Sequence, residues 1–294
     1  MVLLGKSGPG HAGAELMDTV IFSSVSEKGS VAVSIPRDLW YQPWQTKVNS
    51  LYYYGKEKGD GLGKTKEILG EILGEKIDHA LVVDFQVFKD LVDLVGGVNV
   101  EVERTFDDFF YPLPGKEDDL CGGDLKFACR YEHIRFEAGI QHLDGEQALK
   151  FVRSRYAEGE EGTDSARSYR QQKVILALKK KITSPNVLLS LPKIFALKEI
   201  FEKRFEGDFT RKDLLDLAKI FIKPQARQLE NFVLDGWEDD QGLLIHPKKH
   251  PSGQWVLLPK DPSWNQVHDF IDCLISQANK SGCSPEKKQV SPAS

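Results

Sequence analysis

Residues 18–40 read DTVIFSSVSEKGSVAVSIPRDLW. Two β-rich runs, TVIFSSV and SVAVSIP, flank the turn-forming quartet Glu27-Lys28-Gly29-Ser30, so the stretch is expected to fold as a hairpin of antiparallel strands. Outward from it, strand-like and helix-like blocks alternate. A strand is expected in VLLG (2–5), a helix over 65–73, a strand in IDHALVVDF (77–85), a helix over 87–95 and a strand in VNVEVE (98–103). Gly96-Gly97 should stop the second helix and turn the chain. Alternating strands and helices favour parallel pairing and the hairpin demands antiparallel pairing, so the class is α/β with a central mixed β-sheet.

The second informative stretch is GIQHLDGEQALKFVRSRYAEGEEGTDSARSYRQQ, residues 139–172, which concentrates Arg153, Arg155, Arg167 and Arg170 around two helix ends. Asp144 followed by Gln147 has the pattern of a reciprocal N-terminal cap, and Ala148, Leu149 and Val152 give the helix an apolar face. Arg153 and Arg155 are two apart and cannot share a helix face, so the second arginine should leave from a loop. Arg167, Arg170 and Gln171 share a surface near the start of the next helix, whose buried side is Val174, Ile175, Leu178 and Ile182. Guanidinium groups stay charged and donate paired hydrogen bonds, and a helix start adds unpaired N–H groups, so a pyrophosphate suits this layout. The alternative is a solvated network with Glu158, Glu160, Glu161 and Asp164.

The run LDGEQALKFVRSR followed by RSYRQ resembles the LytR-CpsA-Psr family, whose members carry LDGEQALxxVRxR and then an R-x-x-R-Q helix. Residues 18–40 are similar to the family's strand, hairpin and strand ending in S-I-P-R-D. TKVNSLYYYG (46–55) is similar to its K-[IV]-N-x-x-Y-x-x-G run, and DLVDLVGGVNVEV (90–102) to its D-x-L-G-G-V-x-V-x-V segment. The resemblance runs from residue 2 to about 274 and rests after about 182 on helix pattern. It implies a three-layer α-β-α sandwich around the mixed sheet. It also implies an extracytoplasmic phosphotransferase of the bacterial cell envelope that joins a polyprenyl-pyrophosphate-linked glycopolymer, of teichoic acid or capsular type, to peptidoglycan through a phosphodiester, commonly with magnesium. A non-catalytic protein of the same fold that binds polyprenyl-pyrophosphate lipids or glycans is the alternative.

The resemblance also assigns residues. Arg37, Arg153, Arg155 and Arg167 would hold the two phosphates, Gln171 would orient one of them, and Asp38 would orient Arg37 through a bidentate pair. Asp18 matches a metal-holding aspartate, and Asp18 or Asp38 is a candidate general base. Lys47, Asn49 and Arg170 would bound the pocket. Phe85, Phe88, Leu91, Leu188 and Phe195 are candidates for lining an apolar cleft for the carrier lipid, with plain core packing as the default for each. Three positions depart from the family: Ser7, beside Lys6, stands where a second metal-binding aspartate is usual, and Leu16 and Tyr41 stand where arginines are usual. Losing one carboxylate weakens a site for a hard dication, and Lys6 offers positive charge instead.

The chain has 294 residues, 40% of them hydrophobic, enough for one large domain, expected over 1–278 with 104–142 as an excursion and 279–294 as a disordered tail or linker. With a net charge of −5 and no basic stretch interleaved with aromatics, nucleic acid is excluded as a partner. Cysteines fall in two close pairs, Cys121 with Cys129 and Cys273 with Cys283, which fits an oxidising compartment. The first pair is read as a disulfide; for the second, a disulfide and two thiols both remain open. Met1 runs directly into an apolar strand with no charged leader or cleavage signal, so the family's N-terminal membrane anchor is expected to have preceded this start and to be absent from the chain.

Overall fold

Apolar alternation turns into strands as expected in the first part of the chain. A computed structural model describes residues 1–9, 13–26, 29–210, 212–213, 216, 229–234, 242–277 and 283. They fall into two compact units, one from 1–6, 15–83 and the described residues from 206 on, the other from 84–205 with the described residues of 7–14.

The first unit is built on a six-stranded sheet. Its order is Glu206–Gly207, Ala80–Asp84, β1 (Val2–Lys6), β2 (Met17–Ser26), β3 (Gly29–Ser34) and Leu229–Val233. β1 pairs antiparallel with β2, β2 antiparallel with β3, and β3 parallel with Leu229–Val233, so the sheet is mixed. The hairpin register closes on Ser26 opposite Gly29; residues 27 and 28 of the expected turn lie outside the described residues. Two helices follow, α1 (Leu51–Glu57) and α2 (Gly61–Leu73). α2 begins a turn before the expected Thr65 because Asp60 caps it, its carboxylate accepting the Gly63 N–H at 2.7 Å. It ends at Gly74, whose φ of 71° is left-handed and whose missing Cβ would lie 2.6 Å from the His268 ring. Leu69 and Ile72 of α2, Ile271 and Leu274 of the helix Asn265–Ser276, and Val2 and Val33 of the sheet share one core.

The second unit starts from α3 (Phe85–Leu94), capped by Asp84 through the Val87 N–H at 2.8 Å. Gly96 and Gly97, both at positive φ, stop it as expected, and a Cβ on Gly97 would meet His142 Nε2 at 2.5 Å. The strand Val98–Val102 does not join the large sheet. It pairs antiparallel with Gly139–Leu143, and between these two strands the excursion forms a hairpin of Phe106–Pro112 with Tyr131–Phe136. Disulfides join Cys121 to Cys129 and, in the first unit, Cys273 to Cys283; no free thiol is found among the described residues. Cys283, inside the expected tail, is 2% exposed and belongs to the core of the first unit. α4 (Gly145–Arg153) carries the expected reciprocal cap of Asp144 and Gln147. α5 (Asp164–Ile182) is capped by Thr163, and the helix Leu191–Arg204 has Pro192 in its first turn, where its missing N–H costs no helical bond. Thr210 and Asp213 exchange capping hydrogen bonds.

Two buried charges hold the second unit together. Asp108, fully buried, accepts from Ser154 Oγ at 2.7 Å, from the Arg155 and Tyr156 N–H groups at 3.2 Å each, and from the Phe110 N–H at 2.9 Å. Arg170, 3% exposed, donates Nε to the Phe151 carbonyl at 3.0 Å and Nη2 to the Ser154 carbonyl at 2.7 Å, and Nη1 to both the carbonyl and the carboxylate of Glu161 at 2.8 Å. Burial pulls the Arg170 pKa down, and Glu161 opposes that pull. Charges this deeply buried are tolerated only when their hydrogen bonds are satisfied.

Asp108→Ala is expected to lower the unfolding free energy by about 2–4 kcal/mol, because it strands buried donors. Arg170→Met, which keeps volume but removes the donors, is expected to cost about 3–5 kcal/mol, both read by chemical denaturation. The Cys273–Cys283 bridge, spanning 10 residues, should stabilise by about 2.5–3 kcal/mol in chain-entropy terms. The paired serine substitutions there should show that loss in full. The same change at Cys121 and Cys129 should cost less, since that segment, with Leu120 73% and Leu125 90% exposed, can loosen without the rest.

Candidate functional site

In the first unit the SIPRD turn follows β3 and brings together four side chains of alternating charge. Asp18, on β2, holds Arg37 Nη1 at 2.5 Å; Arg37 Nε lies 3.3 Å from Asp38 Oδ2; Asp38 Oδ1 takes Lys47 Nζ at 2.6 Å. The Asn49 N–H donates to the Arg37 carbonyl at 3.0 Å and the Leu257 N–H to the Asp38 carbonyl at 3.0 Å, so the backbone of the turn is pinned from both sides. The side chains of Arg37, Asp38 and Lys47 are 19%, 10% and 17% exposed, and that of Asp18 is 42% exposed. The expected bidentate Asp38–Arg37 pair is corrected here: Asp38 divides its oxygens between Arg37 and Lys47. The Asn49 side chain accepts from Ser50 Oγ at 2.9 Å.

One departure from the family pattern has a local explanation. Tyr41 is buried, its phenol donating to Glu71 Oε2 at 2.6 Å, and burial together with that carboxylate pushes its pKa well above the usual tyrosine range. It ties the turn to α2 and offers no positive charge. Lys6 pairs with Glu15 at 3.1 Å and lies over the Tyr52 ring, 5.4 Å from its centroid. Ser7 is 7% exposed, with no hydrogen-bond partner for its Oγ among the described residues. Asp18 therefore stands against an arginine. The one group of three ligand-type side chains within mutual reach among the described residues is Asp119 with Cys121 and Cys129, whose sulfurs are joined in the disulfide. These donors do not by themselves build a magnesium site.

In the second unit α4 ends at Arg153 because Ser154 turns extended, at φ −50° and ψ 130°, which sends Arg155 into the loop as expected. Arg153 donates to the Tyr111 hydroxyl at 3.0 Å and its guanidinium lies 4.3 Å from the centroid of the Phe85 ring. Burial pushes the Tyr111 phenol up to about 12, with the Arg153 cation pulling the other way. Arg155 is exposed, Arg167 is 7% exposed, and Gln171 is half-buried, one turn after Arg167 on α5. By bonding the Phe151 and Ser154 carbonyls, Arg170 fastens the start of α5 to the end of α4, so the segments bearing Arg153, Arg155 and Arg167 are brought to one corner of the unit. Arg170 itself is a correction: with these four bonds to its own chain, it frames the corner and is not a ligand-binding group.

The apolar candidates separate. Phe85 and Phe88 pack against the core of this unit and Leu91 is half-buried, whereas Leu188 and Phe195 are exposed. Sequence reasoning missed Asp108, Tyr111 and Ser154. The available signal was an acid placed among aromatics in DDFFYP, a pattern costly to bury unless the carboxylate is satisfied.

Comparison with known proteins agrees with this picture. The model of the LytR_cpsA_psr family matches residues 2–252. The polyisoprenyl-teichoic acid–peptidoglycan teichoic acid transferase TagV of Bacillus subtilis is 30% identical over 227 residues, covering 74% of this chain and 51% of its own. The corresponding transferase TagU of Enterococcus faecalis is 29% identical over 228 residues, covering 74% of this chain and 65% of its own. The chain thus spans between half and two thirds of these relatives' length. The crystal structure of B. subtilis TagV superposes with a TM-score of 0.63 at 23% identity, covering 94% of this chain and 96% of that one. The structure of TagT bound to LIIa-WTA gives 0.61 at 22% identity, covering 94% and 90%. The α/β fold around a mixed sheet is therefore one these proteins share, and the chain belongs to the LytR_cpsA_psr family.

Proposed function

We propose that the chain is an extracytoplasmic phosphotransferase of the bacterial cell envelope, joining a polyprenyl-pyrophosphate-linked glycopolymer of teichoic acid or capsular type to peptidoglycan. The observation that carries the proposal is the corner of the second unit where buried Arg170 fastens α5 to the end of α4, the segments that bear Arg153, Arg155 and Arg167. The naming of the two relatives as transferases of this kind supports it.

In this reading an acceptor-sugar hydroxyl attacks the phosphorus next to the glycan, the bond to the bridging oxygen breaks, and polyprenyl phosphate leaves. Phosphoryl transfer asks a protein mainly for positioning and for stabilisation of charge on the transferring oxygens. Arg155 and Arg167 serve as the anion ligands, Gln171 orients a phosphate oxygen, and Arg153 is steered by the Tyr111 hydroxyl and the Phe85 face. Within the first unit, Arg37 and Lys47 are cations that Asp38 keeps in register. Magnesium is the dication the family implies. With one carboxylate already against Arg37, the first unit would offer such a dication few oxygen ligands of its own.

A second reading, binding of the pyrophosphate lipid without turnover, is favoured by Tyr41: the position where the family carries an arginine holds a buried phenol tied to Glu71.

The protein is expected to bind a short-chain polyprenyl pyrophosphate in calorimetry. Arg155→Ala should weaken binding by about 1.5–3 kcal/mol, the worth of a charge-assisted hydrogen bond, without lowering the melting midpoint. Chelation of divalent metal should change this affinity little. Incubation with a lipid-linked glycan donor and peptidoglycan should release polyprenyl phosphate; binding without release would select the second reading, and absence of binding would dismiss both.

A further inference from the structure

Contiguous apolar side chains left in water mark an interaction surface. At the corner between the short helix Pro185–Leu188 and the helix Leu191–Arg204, Leu188, Leu189, Leu191, Ile194 and Phe195 are 54%, 83%, 66%, 38% and 65% exposed. Leu191, Ile194, Phe195 and Lys198 recur at the spacing of a single helical face, so the second helix carries an apolar stripe that continues into a lysine. The corner is anchored. Val187 is 1% exposed, and Arg204 at the far end of the helix pairs with Asp90 of α3. An amphipathic helix normally turns its apolar stripe toward the core; here the packing holds the stripe outward.

Charge identifies the occupant. Residues 179–204 contain seven lysines and arginines against two glutamates, in a chain whose net charge is −5. Lys179, Lys180 and Lys181 close α5 just before the corner, and Lys198, 60% exposed, extends the stripe. An apolar tip with a basic collar is complementary to a bilayer surface with anionic headgroups: the leucines and the phenylalanine enter the acyl boundary while lysine stems reach back to the phosphates. A second copy of the same corner would oppose like charges, which disfavours self-association as the occupant.

We propose that the corner formed by residues 185–198 is a peripheral membrane contact that seats on anionic phospholipid headgroups. This gives Leu188 and Phe195 a surface role in place of lining an internal cleft. The contact does not depend on the transfer reaction or on any lipid-linked donor.

The test is co-sedimentation of the protein with vesicles of phosphatidylglycerol mixed with phosphatidylcholine, and of phosphatidylcholine alone, none containing a polyprenyl lipid. Binding is expected to the mixed vesicles and to be far weaker to phosphatidylcholine. The Leu189→Glu/Leu191→Glu variant should lose at least about tenfold in affinity by removing the apolar insertion. Lys198→Gln should lose about fivefold, the factor for roughly 1 kcal/mol per basic residue at an anionic surface. Melting midpoints of both variants should match the parent, since these side chains face water. Absence of binding to the anionic vesicles, or equal binding by the folded glutamate variant, overturns the proposal. So does a dimer in light scattering that the glutamate variant dissolves, which would make the corner a contact between copies. Failure to bind a polyprenyl pyrophosphate would leave this result untouched.

Discussion

The guanidinium of Arg170 is the interaction on which the candidate anion corner depends. Removing an arginine from water is expensive, and the fold offsets that cost by placing two main-chain carbonyls at the end of α4, and both a carbonyl and the carboxylate of Glu161, around one planar group. The helix end that receives these bonds would otherwise carry carbonyls without partners. Asp108 does the converse for the N–H groups of Arg155 and Tyr156. The loop bearing Arg155 is therefore fixed by a buried cation on one side and a buried anion on the other, while the Arg155 side chain stays exposed.

The charged chain in the first unit follows a different logic. Asp18, Arg37, Asp38 and Lys47 alternate in sign, so the cluster is neutral as a whole and each member is oriented by its neighbours. Preorganisation of this kind lets a cation meet an anion without first abandoning a random conformation. It also explains why Asp38 can be nearly buried: its two oxygens are met by two different cations, and its main chain by Leu257.

Much of this was legible in the sequence where local rules act alone. The hairpin strands, the cap at Asp144, the helix stop at Gly96-Gly97 and the loop position of Arg155 depend on neighbours close along the chain, and they came out as read. What failed to show were partnerships across long separations. Val98–Val102 has the alternation of a sheet strand, but alternation does not say which strand it will pair with, and Gly139–Leu143 claimed it. Arg170 has the same spacing to Arg167 whether it faces a ligand or a carbonyl, and only the packing of α5 on α4 decides between them. Leu188 and Phe195 were read as apolar and therefore enclosed, whereas the corner that carries them is turned to solvent.

The route of the chain through the large sheet sets the order in which the protein can be completed. β3 takes its parallel partner from Leu229–Val233, almost two hundred residues later, and the final helix of the same unit is sealed by Cys283. The second unit, 84–205, is nearly continuous and leaves the ribosome before those closing segments exist. Until they arrive, β3 has an unsatisfied edge, a template for pairing with the wrong chain. A polypeptide arranged in this way gains from being kept unfolded until Leu229–Val233 and Cys283 are available, and a bridge at Cys283 forms in oxidising surroundings.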